Sequence, residues 1–178
     1  MIVTEIETLL RDAASYPSRD VVKRSLTLAG LADSTDRNRF DPGHFTASGF
    51  VVSPDGTSLL MIHHRRLDRW LQPGGHIDPD DPSPIAAAAR EVHEETGVET
   101  MPIEDGLVDV DIHRIPPRDP EPSHEHFDLR FAFRALTTDL VADDEVYDAV
   151  WVRWDDLDSY GVDDSVLRAA AALRRAYS

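Results

Sequence analysis

One stretch constrains this chain more than any other: GGHIDPDDPSPIAAAAREVHEETGV, residues 74–98. It opens on a Gly-Gly pair, which reads as a turn, and passes through a loop rich in proline and aspartate. It closes as an amphipathic run ended by glycine. Ser83-Pro84 fits a helix N-cap followed by the first helical position. Gly97 stands where a left-handed glycine stops a helix. The spacing therefore predicts a helix from Pro84 to about Thr96.

That helix carries an unusual charge pattern. At 100° per residue, Ile85, Ala88, Ala89 and Thr96 fall within roughly 60° of Val92 and form the buried stripe. Glu91, Glu94 and Glu95 gather about 100° away, beside the core and outside it. Like charges at i, i+3 and i+4 repel. No lysine stands at i+4 from any of the three, so ordinary neutralisation is missing. Arg90, four residues before Glu94, can reach that carboxylate and fix it. The preceding loop brings Asp78, Asp80 and Asp81 to the helix entrance. Oxygen donors at this density suit Mg²⁺ or Mn²⁺ better than zinc. A solvated charged face is the competing reading.

Charge narrows the partners. The formal net charge is −16 over 178 residues, and no segment is a basic patch, which argues against nucleic acid. The same field opposes a polyanionic substrate, so any phosphate-bearing ligand needs divalent cations as a bridge. No apolar run approaches the ~20 residues that cross a bilayer, so a membrane partner is not expected. The start lacks a secretory pattern. Cysteine is absent, which removes a disulfide framework, a thiolate nucleophile and a Cys-ligated zinc. These features fit a cytoplasmic protein.

Around the helix, the chain changes texture once. Residues 2–15 and about 19–33 show apolar stripes at helical spacing, broken at Pro17-Ser18. A polar Pro-Gly segment, 34–44, then reads as a linker. FTASGFVVS and SLLMIHH flank Pro-Asp-Gly and read as a hairpin. LVDVDIHRI, HFDLRFAFRA and AVWVRWDDL read as strands, and residues 163–178 as a closing helix. The expected fold is α+β, an α/β/α sandwich on a mixed β-sheet. The expected division is an N-terminal helical extension, 1–43, and a main domain, 44–178. Lid, dimer contact and sheet-capping arm all stay open for the extension, so a homodimer is allowed.

The segment from Gly75 to Val98 resembles the signature of the Nudix hydrolases, G-x5-E-x7-R-E-U-x-E-E-x-G-U with U aliphatic. Gly75 matches the first glycine, and Arg90, Glu91, Val92, Glu94, Glu95, Gly97 and Val98 match the second half in place. Asp81 fills the first acidic position, with eight residues instead of seven before Arg90, a one-residue insertion ahead of the helix. The resemblance extends from Phe45 to the end and leaves out residues 1–43.

The resemblance implies a Nudix-type fold and a metal-dependent hydrolase. Its substrate would be a small nucleotide-type diphosphate, a nucleoside diphosphate joined to X, such as a nucleoside triphosphate or a nucleotide sugar. It implies Glu91, Glu94 and Glu95 as metal ligands, with a backbone carbonyl from Gly75. Arg90 would clamp Glu94, the most sensitive ligand. The general base is a helix glutamate or a loop acid, with Glu145 as the loop candidate beside Asp143 and Asp144. Asp81 is equally a water-mediated ligand or a plain loop carboxylate. Arg66, Trp70 and His126 are the substrate-side candidates. Core packing competes for Trp70 and a surface strand end for Arg66. His124 and His126 form an H-x-H pair, read first as a substrate or edge contact and second as a zinc pair. A non-catalytic nucleotide-binding or regulatory module is the alternative function, although such modules typically lack the glutamates retained here. Isopentenyl diphosphate isomerases also resemble the family, but the familiar type needs a catalytic cysteine.

Overall fold

The computed structural model describes residues 2–13, 18–144 and 146–176, without the side chains of residues 104, 105 and 176. The chain begins with two helices, α1 (Ile2–Asp12) and α2 (Arg19–Ala29). Strands β1 (Gly43–Val52), β2 (Ser58–His64), β3 (Arg69–Leu71) and β4 (Gly74–His76) follow. Helix α3 (Pro84–Thr96) precedes the long strands β5 (Thr100–Ile115) and β6 (His124–Ala135). Strand β7 (Val146–Arg153), a 3₁₀ helix (Trp154–Tyr160) and α4 (Asp164–Ala176) complete the chain.

The strands form one mixed sheet in the order β3-β2-β1-β6-β5, with β4 beside β1 and β7 beside β2. Only β1 and β6 pair in parallel among the described ladders, from Gly43 opposite Glu125 to Val52 opposite Arg134. Alternation along these two strands sends residues to opposite faces. Phe45, Ala47, Val51, Phe127, Leu129, Phe131 and Phe133 face α3 and the two N-terminal helices in one core. Phe50, Val52 and Ala132 face α4 in the other. The result is the expected α+β sandwich with helices on both sheet faces.

The N-terminal helices are part of that packing. Ile6 and Leu10 of α1 and Leu28 of α2 share a cluster with Val92 of α3 and Phe127 of β6. Arg24 of α2 pairs with Glu125 of β6 at 2.6 Å. The second helix stops at Ala29 instead of residue 33, because Gly30 and the turn after it close it. Of the proposed break, Pro17 lies outside the described residues.

The Gly-Gly pair, expected as a turn, is a short strand. Gly74 and Gly75 lie opposite Ser48 and Ala47 on β1. A Cβ on Gly74 would stand 2.5 Å from the Ser48 Cα, so only glycine permits this approach. Helix α3 has the bounds its caps predict. The Ser83 hydroxyl accepts from the Ala86 N–H, and Gly97 closes the helix with φ 70°.

Candidate active site

A cleft of about 690 Å³ opens over the polar end of the sheet. The parallel register of β1 and β6 builds its floor. Thr46 lies opposite Asp128 and Ser48 opposite Arg130, before the same face turns apolar at Phe50 and Ala132. Asp128 accepts hydrogen bonds from Ser48 Oγ at 2.8 Å and Gln72 Nε2 at 3.2 Å. Arg130 Nε donates to it at 3.0 Å. Asp128 and Arg130 are buried, and this pairing makes their charges tolerable there.

One wall is acidic. Glu91, Glu94 and Glu95 of α3 line it, with Gly74, Gly75 and Asp78 from the strand and loop ahead of the helix. The three glutamates differ in environment. Glu94 is 52% exposed and Glu91 17%. Glu95 is 4% exposed, which corrects the expectation that all three lie outside the core. The correction has a physical cause. Strand β4 packs over that turn of the helix, and the Gly74 N–H donates to Glu95 Oε2 at 2.9 Å.

Arg90 binds this wall together. Its guanidinium donates to Glu91 Oε1 and Glu94 Oε2, each at 2.9 Å. Its other edge donates to both oxygens of Asp81, at 3.1 and 2.9 Å, and to the His76 carbonyl at 3.0 Å. The clamp therefore reaches Glu94 as the i,i+4 spacing predicts, and takes in Glu91 and the loop as well. Asp81 points into the arginine and also accepts from the Asp78 N–H at 2.8 Å. Burial pushes its carboxyl up, but Arg90 and that N–H outweigh burial and hold it below the usual range. Asp81 is thus a pairing partner of Arg90, and the inserted residue leaves it facing the clamp.

Glu91 shows the opposite balance. Burial pushes its carboxyl up to about 7 against the pull of Arg90, and the charges of Glu94 and Asp78 add to the rise. Its carboxylate occupies the space a side chain on Gly75 would need. A Cβ there would lie 2.5 Å from Glu91 Oε2. Glu91, Glu94 and Glu95 bring three carboxylates to one wall of the cleft, an all-oxygen donor set with Glu91 lying against the bare glycine. That set suits a hard divalent cation.

Arg37, Arg65, Arg66 and Arg118 also line the cleft and bring positive charge to it. Arg66 reaches the cleft and pairs with Glu121 at 2.9 Å. His126 also lines the cleft. Trp70 does not. Its ring stacks on His63 at 5.1 Å and meets Tyr160 edge-on, packed toward the α4 core. Glu145 lies outside the described residues, and its neighbour Asp143 lines the cleft.

Sequence reading passed over Thr46, Ser48, Gln72 and Asp128. The signal existed: GHFTASGF and HEHFDLRF both alternate polar with apolar, and their polar positions share one face. It also passed over Arg37, which the extension contributes to the cleft mouth.

A family model described as the NUDIX domain matches residues 43–175. The chain belongs to the Nudix family. Among curated proteins, it is 35% identical over 131 residues to a probable DHNTP pyrophosphohydrolase of Lactococcus lactis subsp. cremoris, covering 70% of this chain and 76% of the relative. It is 43% identical over 49 residues to an 8-oxo-(d)GTP phosphatase of Mycolicibacterium smegmatis, a match that spans 28% of this chain and 15% of that protein. Among solved structures, a Nudix hydrolase from Clostridium perfringens superposes with a TM-score of 0.59 at 24% identity, over 76% of this chain and 98% of the other. The E. coli dihydroneopterin triphosphate pyrophosphohydrolase does so at 0.57 and 15%, over 74% and 95%. These likenesses show a Nudix fold. Family and relatives together mark the protein as a diphosphohydrolase-type enzyme, of a family whose enzymes generally use a divalent metal. No helix among the described residues is long and apolar enough to cross a membrane.

Proposed function

We propose that this Nudix protein is a Mg²⁺- or Mn²⁺-dependent hydrolase that cleaves the diphosphate linkage of a nucleoside diphosphate joined to X. The placing of Glu91, Glu94 and Glu95 in one cleft with Arg37, Arg65, Arg66 and Arg118, and Glu91 against the bare Gly75, carries the reading. A divalent cation held by these carboxylates supplies charge neutralisation and an activated water. Glu91, Glu94, Glu95 and the Gly75 carbonyl are the proposed ligands. Arg90 holds Glu91 and Glu94 in place. Arg66 and His126 meet the substrate side, and the packing of Trp70 argues against a stacking role for it. Glu145 or a helix glutamate takes the proton from water, and Asp143 offers a further loop carboxylate at the cleft. The proposed division remains an extension, 1–43, and a hydrolase domain, 44–178.

For X, the relative named as a DHNTP pyrophosphohydrolase favours a triphosphate over a nucleotide sugar. Phosphate and pyrophosphate release should be measured with Mg²⁺ or Mn²⁺ on nucleoside triphosphates, dihydroneopterin triphosphate and nucleotide sugars. Pyrophosphate release from a triphosphate, reduced by about three orders of magnitude or more in Glu94→Gln with the melting temperature retained, is the expected outcome. A Glu94→Gln enzyme that turns over at the native rate would remove the carboxylate site from the mechanism.

A further inference from the structure

A second cluster of ligating side chains sits at the head of the β1–β6 pairing. His44 and His126 are register partners there, and His124 lies two residues earlier on the same face of β6. One ring nitrogen from each of the three lies within 4.8 Å of the others. The Nε2 atoms of His124 and His126 are 3.2 Å apart. Zinc–imidazole bonds of about 2.0–2.1 Å, set tetrahedrally, place ligand nitrogens about 3.3 Å apart. That pair already has the spacing, and His44 offers a ring nitrogen within 4.8 Å of both.

Carbonyls fix the tautomers. His44 Nδ1 lies 2.9 Å from the Arg39 oxygen, and His124 Nδ1 lies 2.8 Å from the Pro122 oxygen. A carbonyl only accepts, so both Nδ1 atoms carry the proton and both Nε2 atoms present lone pairs. His126 has one Nε2–H at most and can satisfy His124 with it. His44, 0% exposed, then keeps a buried Nε2 with no hydrogen-bond partner. Protein groups alone leave this arrangement incomplete, and a cation completes it. The Nδ1–H···O=C contacts are the supports that orient metal-binding imidazoles.

We propose that His44, His124 and His126 form a second metal site that takes a first-row transition-metal ion, zinc foremost, separate from the carboxylate site. Three imidazoles are softer donors than the glutamate wall and select a different ion. Asp36 and Glu121 supply nearby negative charge, which Arg37 partly opposes. The fourth position falls to water or to His76, whose ring centre is 5.2 Å from that of His44 and 5.5 Å from that of His126. Such an ion pins β1, β6 and, through the Arg39 carbonyl, the extension. It also stiffens the cleft wall that His126 lines.

The test is a Co²⁺ titration of the full chain after chelator stripping, read by visible absorption. One equivalent should produce the intense bands of tetrahedral, nitrogen-ligated Co²⁺, and Zn²⁺ should displace them. The bands should persist in Glu94→Gln, and binding should weaken by about 100-fold or more in His124→Gln. Weak octahedral bands alone, or bands lost in Glu94→Gln but kept in His124→Gln, would overturn the site. The wild-type and Glu94→Gln spectra decide the question even where the histidine variant fails to fold, which circular dichroism reports. Hydrolytic activity plays no part in the readout, so the proposed reaction and this site fail independently.

Discussion

Asp81→Asn separates the two roles open to a carboxylate at the signature's first acidic position. In this structure both Asp81 oxygens accept from Arg90, and its side chain is 7% exposed against 26% for the arginine. Asparagine keeps the volume but turns an amide N–H₂ toward a guanidinium edge. Breaking a fully buried pair costs about 3–5 kcal/mol. Arg90 keeps Glu91 and Glu94 and is partly solvated, so about 2 kcal/mol is expected. For a chain of this size that lowers the melting temperature by about 4–8 °C. Combining Asp81→Asn with Arg90→Gln in a double-mutant cycle should recover a coupling of about 1.5–2 kcal/mol. Mg²⁺ affinity, measured by calorimetry on Asp81→Asn, should fall less than about tenfold, because the change reaches the proposed ligands only through Arg90. An unchanged melting temperature together with a large loss of Mg²⁺ affinity would refute the pairing argument and make Asp81 a ligand.

Three further expectations follow from named contacts. Gly75→Ala puts a methyl 2.5 Å from Glu91 Oε2, so the carboxylate must swing away, and turnover should drop about 100-fold with little change in melting temperature. Ile6→Ala should cost about 2–5 kcal/mol in a single urea transition, because Ile6 is fully buried in the core shared with α3; a separate transition for the N-terminal helices would contradict that packing. Acid should destabilise the metal-free protein through its buried histidines. Burial pushes His76 down to about 4, so the stability it contributes is present above pH 6.5 and lost as pH falls to 4, by about 3 kcal/mol, with His44 and His126 adding in the same sense. Glu91, raised to about 7, works the other way and stabilises the native state as pH falls from 7 to 4.5. Chemical denaturation across pH 4–7 should therefore show a shallow loss in the native chain and a steeper one in Glu91→Gln; parallel curves would refute the burial of these groups.

Local chemistry made much of this protein readable before any coordinates. Ser83, Pro84 and Gly97 set the bounds of α3, because caps act on adjacent backbone groups. The Arg90–Glu94 contact followed from helical spacing, the Pro-Asp-Gly turn marked the β1–β2 hairpin, and alternation marked β6 and the second half of β5. The misses share a cause in contacts between distant segments. Glu95 is buried because β4, a strand only glycine could form there, lies across it. Asp81 turns to Arg90 because the loop folds back over the helix. The polar floor exists because β1 and β6, about eighty residues apart, align in parallel with His44 beside His126 and Thr46 beside Asp128. Such a register depends on packing of the whole sheet, and no local pattern states it. The sequence by itself therefore determined the helix, its caps and the carboxylates it carries, all products of short-range backbone geometry. Tertiary structure decided which charges are buried, which arginines share their cleft and which histidines meet.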